Sequence, residues 1–237
     1  ADAVYNDVSY ASGGAAALAT AAFALQIYCD FGGYSDIARG CSEMMGVELM
    51  VNFKAPYFAL SMRDFWKRWH ISLTSWFREY VYFPLGGSRR GFARTLRNTL
   101  IVFALSGLWH GASWTFVAWG LLHALYLCAE LIWNRLRRNA PKAPGPCCKA
   151  LLLLKTFVLA CIAWTFFRAD TMADALAVLG AAFAGLRHPL TWMQDAWHLL
   201  TAGGTLTAAI TVFSVLVLLL GDLLDEKNDA MAAVGRL

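Results

Sequence analysis

Two histidines are placed where they could do chemistry. His110 lies in SGLWHGASW, inside the longest uncharged run of the chain, residues 98–129. An ionisable group at membrane depth is expensive to hold and usually marks a site or a path. Imidazole titrates near neutral pH, with a reference pKa of about 6.5, which suits it to general-base work. Gly107 and Gly111, with Ser106 and Ser113 outside them, leave room for a substrate to approach. By position alone, a buried, hydrogen-bonded structural histidine explains His110 equally well. His70 is the second candidate, in a stretch that also offers Ser72, Thr74 and Ser75; an imidazole touching lipid headgroups is the simpler reading there. Trp69 and Trp109 each directly precede one of these histidines and are candidate donor-binding residues. His123 reads as a packing residue with one hydrogen bond, and His188 and His198 are given no role.

Two polar segments add candidates. PLGGSRRG, residues 84–91, sets Gly-Gly beside Arg89 and Arg90, and its amides and guanidinium groups could hold a phosphate. A positively charged turn facing the cytoplasm explains it more simply. Asp30, Tyr34, Ser35 and Asp36 in DFGGYSD could order a tunnel mouth or cap a helix. Other chemistries lack their residues: there is no G-x-S-x-G elbow, no phosphate-binding P-loop pattern, and no C-x-x-C or spaced Cys/His quartet, so no metal site is expected. Cys147 and Cys148 stand just before an apolar span, as a lipidation address or as two idle thiols.

The elements that must position these groups are apolar helices. The chain of 237 residues is 59% hydrophobic and 15% charged, far from the roughly 25% charge of soluble domains. Residues 8–29, 150–167 and 205–221 read as spans, with Lys155 able to snorkel. The run 98–129 would make a straight helix of about 48 Å, against a hydrocarbon core of about 30 Å. With basic flanks on both sides, it reads as two helical arms meeting at Gly107–Gly111, the alternative being one steeply tilted helix. In residues 61–83, Trp66, Trp69, Leu73, Trp76, Phe77 and Tyr80 recur at three- and four-residue steps, the pattern of one face of a helix lying in the membrane interface. Ser61 and Asp64 loosely fit a capping box at its start. Segments 31–60, 84–97, 134–149 and 169–199 read as loops and short surface helices, with Pro141, Pro144 and Pro146 marking a connection.

Charge placement agrees. Half of the twenty lysines and arginines fall from Arg39 to Arg97, and a second group comprises Arg135, Arg137, Arg138, Lys142, Lys149 and Lys155. Basic loops beside apolar spans tend to face the cytoplasm. Nucleic acid, the other partner for such charge, would leave the apolar spans unexplained and is not expected. The chain starts at Ala1 with no secretory leader in view, and is expected to be a piece of a longer protein.

The segments DFGGYSDIARG, NFKAPYF, FWKRWHISLTSWFREYVYFPLGGSRRG, RN at 97–98 and SGLWHGASWTFVAWGLLHA together resemble the membrane-bound O-acyltransferase family, most of all its bacterial polysaccharide-acetylating branch. The likeness is strongest over residues 20–130, with an echo at WTFFRAD, residues 164–170. The resemblance implies an all-α, polytopic transmembrane helical bundle, with residues 1–237 the C-terminal part of one domain whose N-terminal half is absent here. It implies His110 and His70 as catalytic residues; Trp109, Trp69, Arg89, Arg90, Asp36 and Tyr34, read from the residues, are the candidates around substrate or donor. It implies a multi-pass protein of the bacterial inner membrane that takes acetyl from acetyl-CoA, a substrate rather than a bound cofactor. Its partners would be the lipid bilayer, a periplasmic acetyltransferase and a polysaccharide synthesis and secretion complex. D-alanyl or other acyl transfer to an envelope polymer, a transporter using His110 as a proton relay, and a scaffold are the rival functions.

Overall fold

The computed structural model describes residues 1–137 and 144–234; Arg138, Pro141 and Lys142 lie outside it. Among the described residues there is no strand. In chain order the helices are α1 (Asp2–Tyr5), α2 (Gly13–Met44), α3 (Met62–Arg68), α4 (Ile71–Phe77), α5 (Phe92–His110), α6 (Trp114–Leu136), α7 (Pro146–Arg168), α8 (Met172–Ala184), α9 (Pro189–Thr201) and α10 (Thr205–Val234). Four are long and apolar enough to cross a membrane: α2, α6, α7 and the Thr205–Lys227 part of α10. The expected all-α, membrane-spanning class is the observed one.

The chain divides into two compact units, residues 1–31 with 164–237, and residues 32–163. In the first, small residues set the packing. A Cβ on Gly14 would overlap the Trp192 carbonyl, and one on Gly13 would meet the Gly185 Cα, so helices α2 and α9 approach through glycine as membrane helices commonly do. Tyr28 donates a hydrogen bond to the buried Asp222 carboxylate at 2.8 Å. Arg168 holds Asp2 at 3.0 Å and Asn6 at 3.1 Å, and its charge keeps the Asp2 carboxyl below the usual carboxylate range.

The first correction falls on α2. Its span was expected to end near Asp30, with DFGGYSD in a loop or cap. The helix instead runs unbroken through that motif for 32 residues. Two glycines lower helix stability by only about 1 kcal/mol each, and the next turns are supported by Arg39, which reaches Asp36 at 3.5 Å and Glu43 at 3.6 Å.

In the second unit, α5 and α6 form an antiparallel hairpin. A Cβ on Gly107 would overlap the Phe116 carbonyl oxygen, and one on Gly120 would overlap that of Phe103. The two backbones therefore touch. The break expected near Gly107–Gly111 is real and lies at Gly111–Ser113; a single tilted helix is excluded. Ser113 caps α6 by accepting from the Thr115 N–H at 3.3 Å. Lys155, expected to snorkel, stands 4.0 Å from Glu130.

Candidate active site

The site grows from two helix breaks in the second unit: the α5/α6 tip and the junction of α3 with α4. Helix α3 is fixed first. Ser61 accepts from the Asp64 N–H at 3.1 Å, and Asp64 accepts from the Leu60 N–H at 3.1 Å, so the expected cap is present. Glu130 of α6 adds a second cap, accepting from the N–H groups of Met62 at 2.8 Å and Arg63 at 3.1 Å. Trp66 then enters the hairpin, its ring edge-on to Phe103 and Trp119. Its indole N–H donates to Nδ1 of the fully buried His123 at 3.2 Å. His123 is thus the packing histidine expected from its position.

Residues 61–83 do not form the single interfacial helix that their periodicity suggests. The chain turns at Trp69, where φ is −101° and ψ 127°, and at His70, where φ is 44° and ψ 55°. The aromatic stripe is split in consequence: Trp66, Trp69 and Phe77 are buried, while Trp76 and Tyr80 are exposed. Beyond Phe77 the chain widens into a π-type turn, Arg78–Tyr82. The break is made by a remote segment. The Lys54 N–H donates to the Arg68 carbonyl and the Ile71 N–H to the Asn52 carbonyl, both at 3.0 Å. The Asn52 side-chain oxygen accepts from the Ser72 N–H at 3.1 Å. These bonds draw the backbone out of the helix on either side of His70.

His110 is the last residue of α5. Its half-buried ring stands edge-on to Trp119 and to Trp109, with centroids 5.0 Å away in each case. His70 is also half-buried, with the Ser72 hydroxyl 3.5 Å from its Nδ1. Burial pushes the His70 imidazole down to about 4, and its neighbour His110 adds to the effect. The two candidate histidines therefore lie near enough for charge on one to act on the other, and at neutral pH His70 is uncharged. A neutral imidazole can donate a proton from one ring nitrogen and accept one at the other.

The remaining candidates divide. Trp109 is 59% exposed beside His110. Trp69, expected at the donor, is only 3% exposed; stacked on Phe65 at 5.6 Å and edge-on to Phe53 at 4.9 Å, it packs behind His70. Arg89 and Arg90 are exposed and precede α5, whose 19 residues put them about 27 Å from His110 along the helix axis. Their turn is held by the buried Asn98, which donates to the carbonyls of Leu85 at 3.3 Å and Gly87 at 3.1 Å. Tyr34 and Asp36 lie on the exposed side of α2, where they cap nothing. Asn52 and Glu130 received no role from the sequence. Neither carries a local signal, because each acts on a helix far from it along the chain.

Sequence comparisons place the chain among known proteins. The sequence model of the membrane-bound O-acyltransferase family matches residues 4–169, which include both histidines. A probable alginate O-acetylase of Pseudomonas putida is 43% identical over 171 residues, covering 72% of this chain and 34% of the relative. A peptidoglycan O-acetyltransferase of Helicobacter pylori is 43% identical over 157 residues, covering 66% of this chain and 29% of the relative. A teichoic acid D-alanyltransferase of Streptococcus thermophilus is 33% identical over 127 residues, covering 51% and 31%. The matched part of the chain spans about a third of the length of these relatives. With a membrane-type helical fold and a family match over most of its length, the chain belongs to the membrane-bound O-acyltransferase family.

Proposed function

We propose that the full-length protein is a multi-pass O-acyltransferase of the bacterial inner membrane that takes acetyl from cytoplasmic acetyl-CoA for the O-acetylation of an exported polysaccharide. The observation that supports this reading is that His70 and His110, both half-buried, stand at separate helix breaks of the same compact unit, near enough to interact electrostatically. The relatives named as O-acetylases and O-acetyltransferases support acetyl as the group moved.

In this reading His110 takes the proton of the acceptor hydroxyl as its oxygen attacks the thioester carbonyl. The C–O bond forms, the C–S bond breaks, and the sulfur leaves as a thiol with the proton from His110. A base so placed contributes about 10²–10⁴-fold. His70, neutral, donates its ring N–H to the carbonyl oxygen as charge develops there. The basic rim at Arg89, Arg90, Arg94 and Arg97 draws the anionic donor to that face of the protein, from which it moves along α5 until the thioester reaches the α5/α6 tip. Trp109 offers an aromatic wall there. A periplasmic acetyltransferase and the polysaccharide synthesis and secretion complex then complete delivery. D-alanyl transfer to an envelope polymer is the second reading, favoured by the relatives named as teichoic acid D-alanyltransferases.

The test is transfer of labelled acetyl from acetyl-CoA by the full-length protein in vesicles, with transport of unmodified substrate followed in parallel. Covalent acetyl product that disappears in His110→Ala, in a protein that still inserts and folds, is the expected result. Flux across the vesicle without any acyl product would overturn the reading in favour of a transporter.

A further inference from the structure

His70 sits in a conformation that its own residue type disfavours. Among the described residues, the non-glycine residues with positive φ are Ala55 and His70. A non-glycine left-handed residue persists only where its surroundings over-determine it, and such residues cluster at functional sites. Both belong to the same piece of structure. Ala55 directly follows the segment 52–54, whose main chain bonds to Arg68 and Ile71 on either side of the turn at 69–70.

The cap of α4 explains how His70 is held. A usual N-cap residue is extended and accepts from the N2 or N3 amide with its own side chain. His70 occupies the N-cap position in a left-handed conformation and makes no side-chain cap. Asn52 does the capping in its place. Its carbonyl accepts from Ile71, the N1 residue, at 3.0 Å, and its side-chain oxygen accepts from Ser72, the N2 residue, at 3.1 Å. The His70 ring is thereby released from capping, and Ser72, whose hydroxyl lies 3.5 Å from His70 Nδ1, is fixed by the same bond.

We infer that Asn52 is a positioning residue for the acyl-transfer centre: by capping α4 in place of His70, it holds His70 in its left-handed turn and so fixes where the imidazole points. The inference rests on the acyl-transfer reading above and adds to it a residue that touches no substrate. It predicts an effect on turnover rather than on donor affinity, because the basic rim lies at the other end of α5.

The experiment uses the full-length protein with labelled acetyl-CoA and compares Asn52→Ala, Asn52→Asp and Asn52→Gln with His70→Ala and His110→Ala. Asn52→Ala removes the side-chain acceptor. Its kcat is expected to fall by about 10²-fold, the scale of a misplacement near 1 Å, with KM for acetyl-CoA within about twofold. Asn52→Asp keeps an oxygen at the same reach and is expected to recover most of kcat. Asn52→Gln moves that oxygen by one methylene and is expected to stay low; if the alanine variant does not fold, the Asp-above-Gln order carries the test. Wild-type kcat in Asn52→Ala, a loss confined to KM, or equal loss in the Asp and Gln variants would overturn the inference. If His70→Ala and His110→Ala both retain wild-type transfer, the two histidines are not the acyl-transfer centre and the role of Asn52 falls with them; absence of any acetyl product from the wild-type protein is what defeats the acyl-transfer reading. Inactive histidine variants beside a fully active Asn52→Ala sink only the role of Asn52.

Discussion

At the scale of single residues, the proposed mechanism depends on keeping an imidazole uncharged. Replacing His110 with alanine removes the only base set at the α5/α6 tip in this reading, so product should fall by at least the 10²–10⁴-fold ascribed to such a base. Labelled acetyl transfer by full-length protein checks it; wild-type turnover would refute the assignment. His70 gives a prediction about pH. Its folded value of about 4 lies below the ordinary histidine value of 6.5, so the folded state disfavours the imidazolium. The stability associated with neutral His70 is present above pH 6.5 and drains away as pH falls from there toward 4. NMR of ring-labelled histidine should show His70 neutral at about pH 5.5, where an ordinary exposed histidine is mostly protonated; an imidazolium signal at that pH would contradict the placement. Trp66 is the third residue to test. Trp66→Phe keeps an aromatic ring but loses the bond to His123 and leaves a buried acceptor unmet, at a cost of about 1–3 kcal/mol, read as a lower unfolding temperature.

At the scale of elements, the hairpin of α5 and α6 is the frame. Its two glycine approaches differ from glycines elsewhere in the same unit. A side chain at Gly120 would overlap the Phe103 carbonyl, whereas a Cβ added to Gly33, inside α2, would meet nothing within 4 Å. Gly120→Ala should therefore force the helices apart and lower thermal stability and transfer together. Gly33→Ala should be neutral or stabilising by up to about 1 kcal/mol, since it removes only a helix-weakening glycine. Thermal unfolding in detergent distinguishes the pair, and equal effects would show that the close approach does not matter. The short helix α3 is fixed by Glu130, an acidic residue of a membrane-type helix. Its carboxylate answers amides that α3 cannot satisfy internally, which accounts for a charge placed where lipid alone would disfavour it.

At the scale of the molecule, the proposed inner-membrane reading makes the charge pattern a prediction of orientation. Arg94 and Arg97 lie toward the start of α5, and Arg135 and Arg137 toward or just beyond the end of α6. An antiparallel hairpin puts both sets on one side, which the positive-inside rule assigns to the cytoplasm. Helices of 19 and 23 residues reach about 28 and 34 Å, enough to carry the tip and His110 deep into or through the hydrocarbon layer. Single cysteines at 94 and 137, in a background cleared of the six native ones, should react with an impermeant reagent from the cytoplasmic face. One at 112 should not. Labelling of 94 and 137 from opposite faces would break the hairpin topology. The exposed apolar side chains of α10, among them Leu206, Ile210, Phe213, Leu216 and Leu220, are what a helix in lipid presents.

The amino-acid sequence alone determined the helical membrane class, the spans, the break in the 98–129 run and the candidacy of both histidines. Each depends on local quantities: apolar length, charge spacing, small residues within a long run. It misjudged α2, because glycines that look like punctuation are tolerated when neighbouring turns hold the helix. It also misjudged residues 61–83, because three- and four-residue periodicity cannot register a break imposed from outside the segment. Only the tertiary structure decided that Asn52 would cap α4, that Glu130 would cap α3, that Trp69 would be buried, and that His70 would sit in a left-handed turn at a helix break. Those outcomes depend on hydrogen bonds and packing between segments distant along the chain, and the pattern of either segment by itself does not encode its partner.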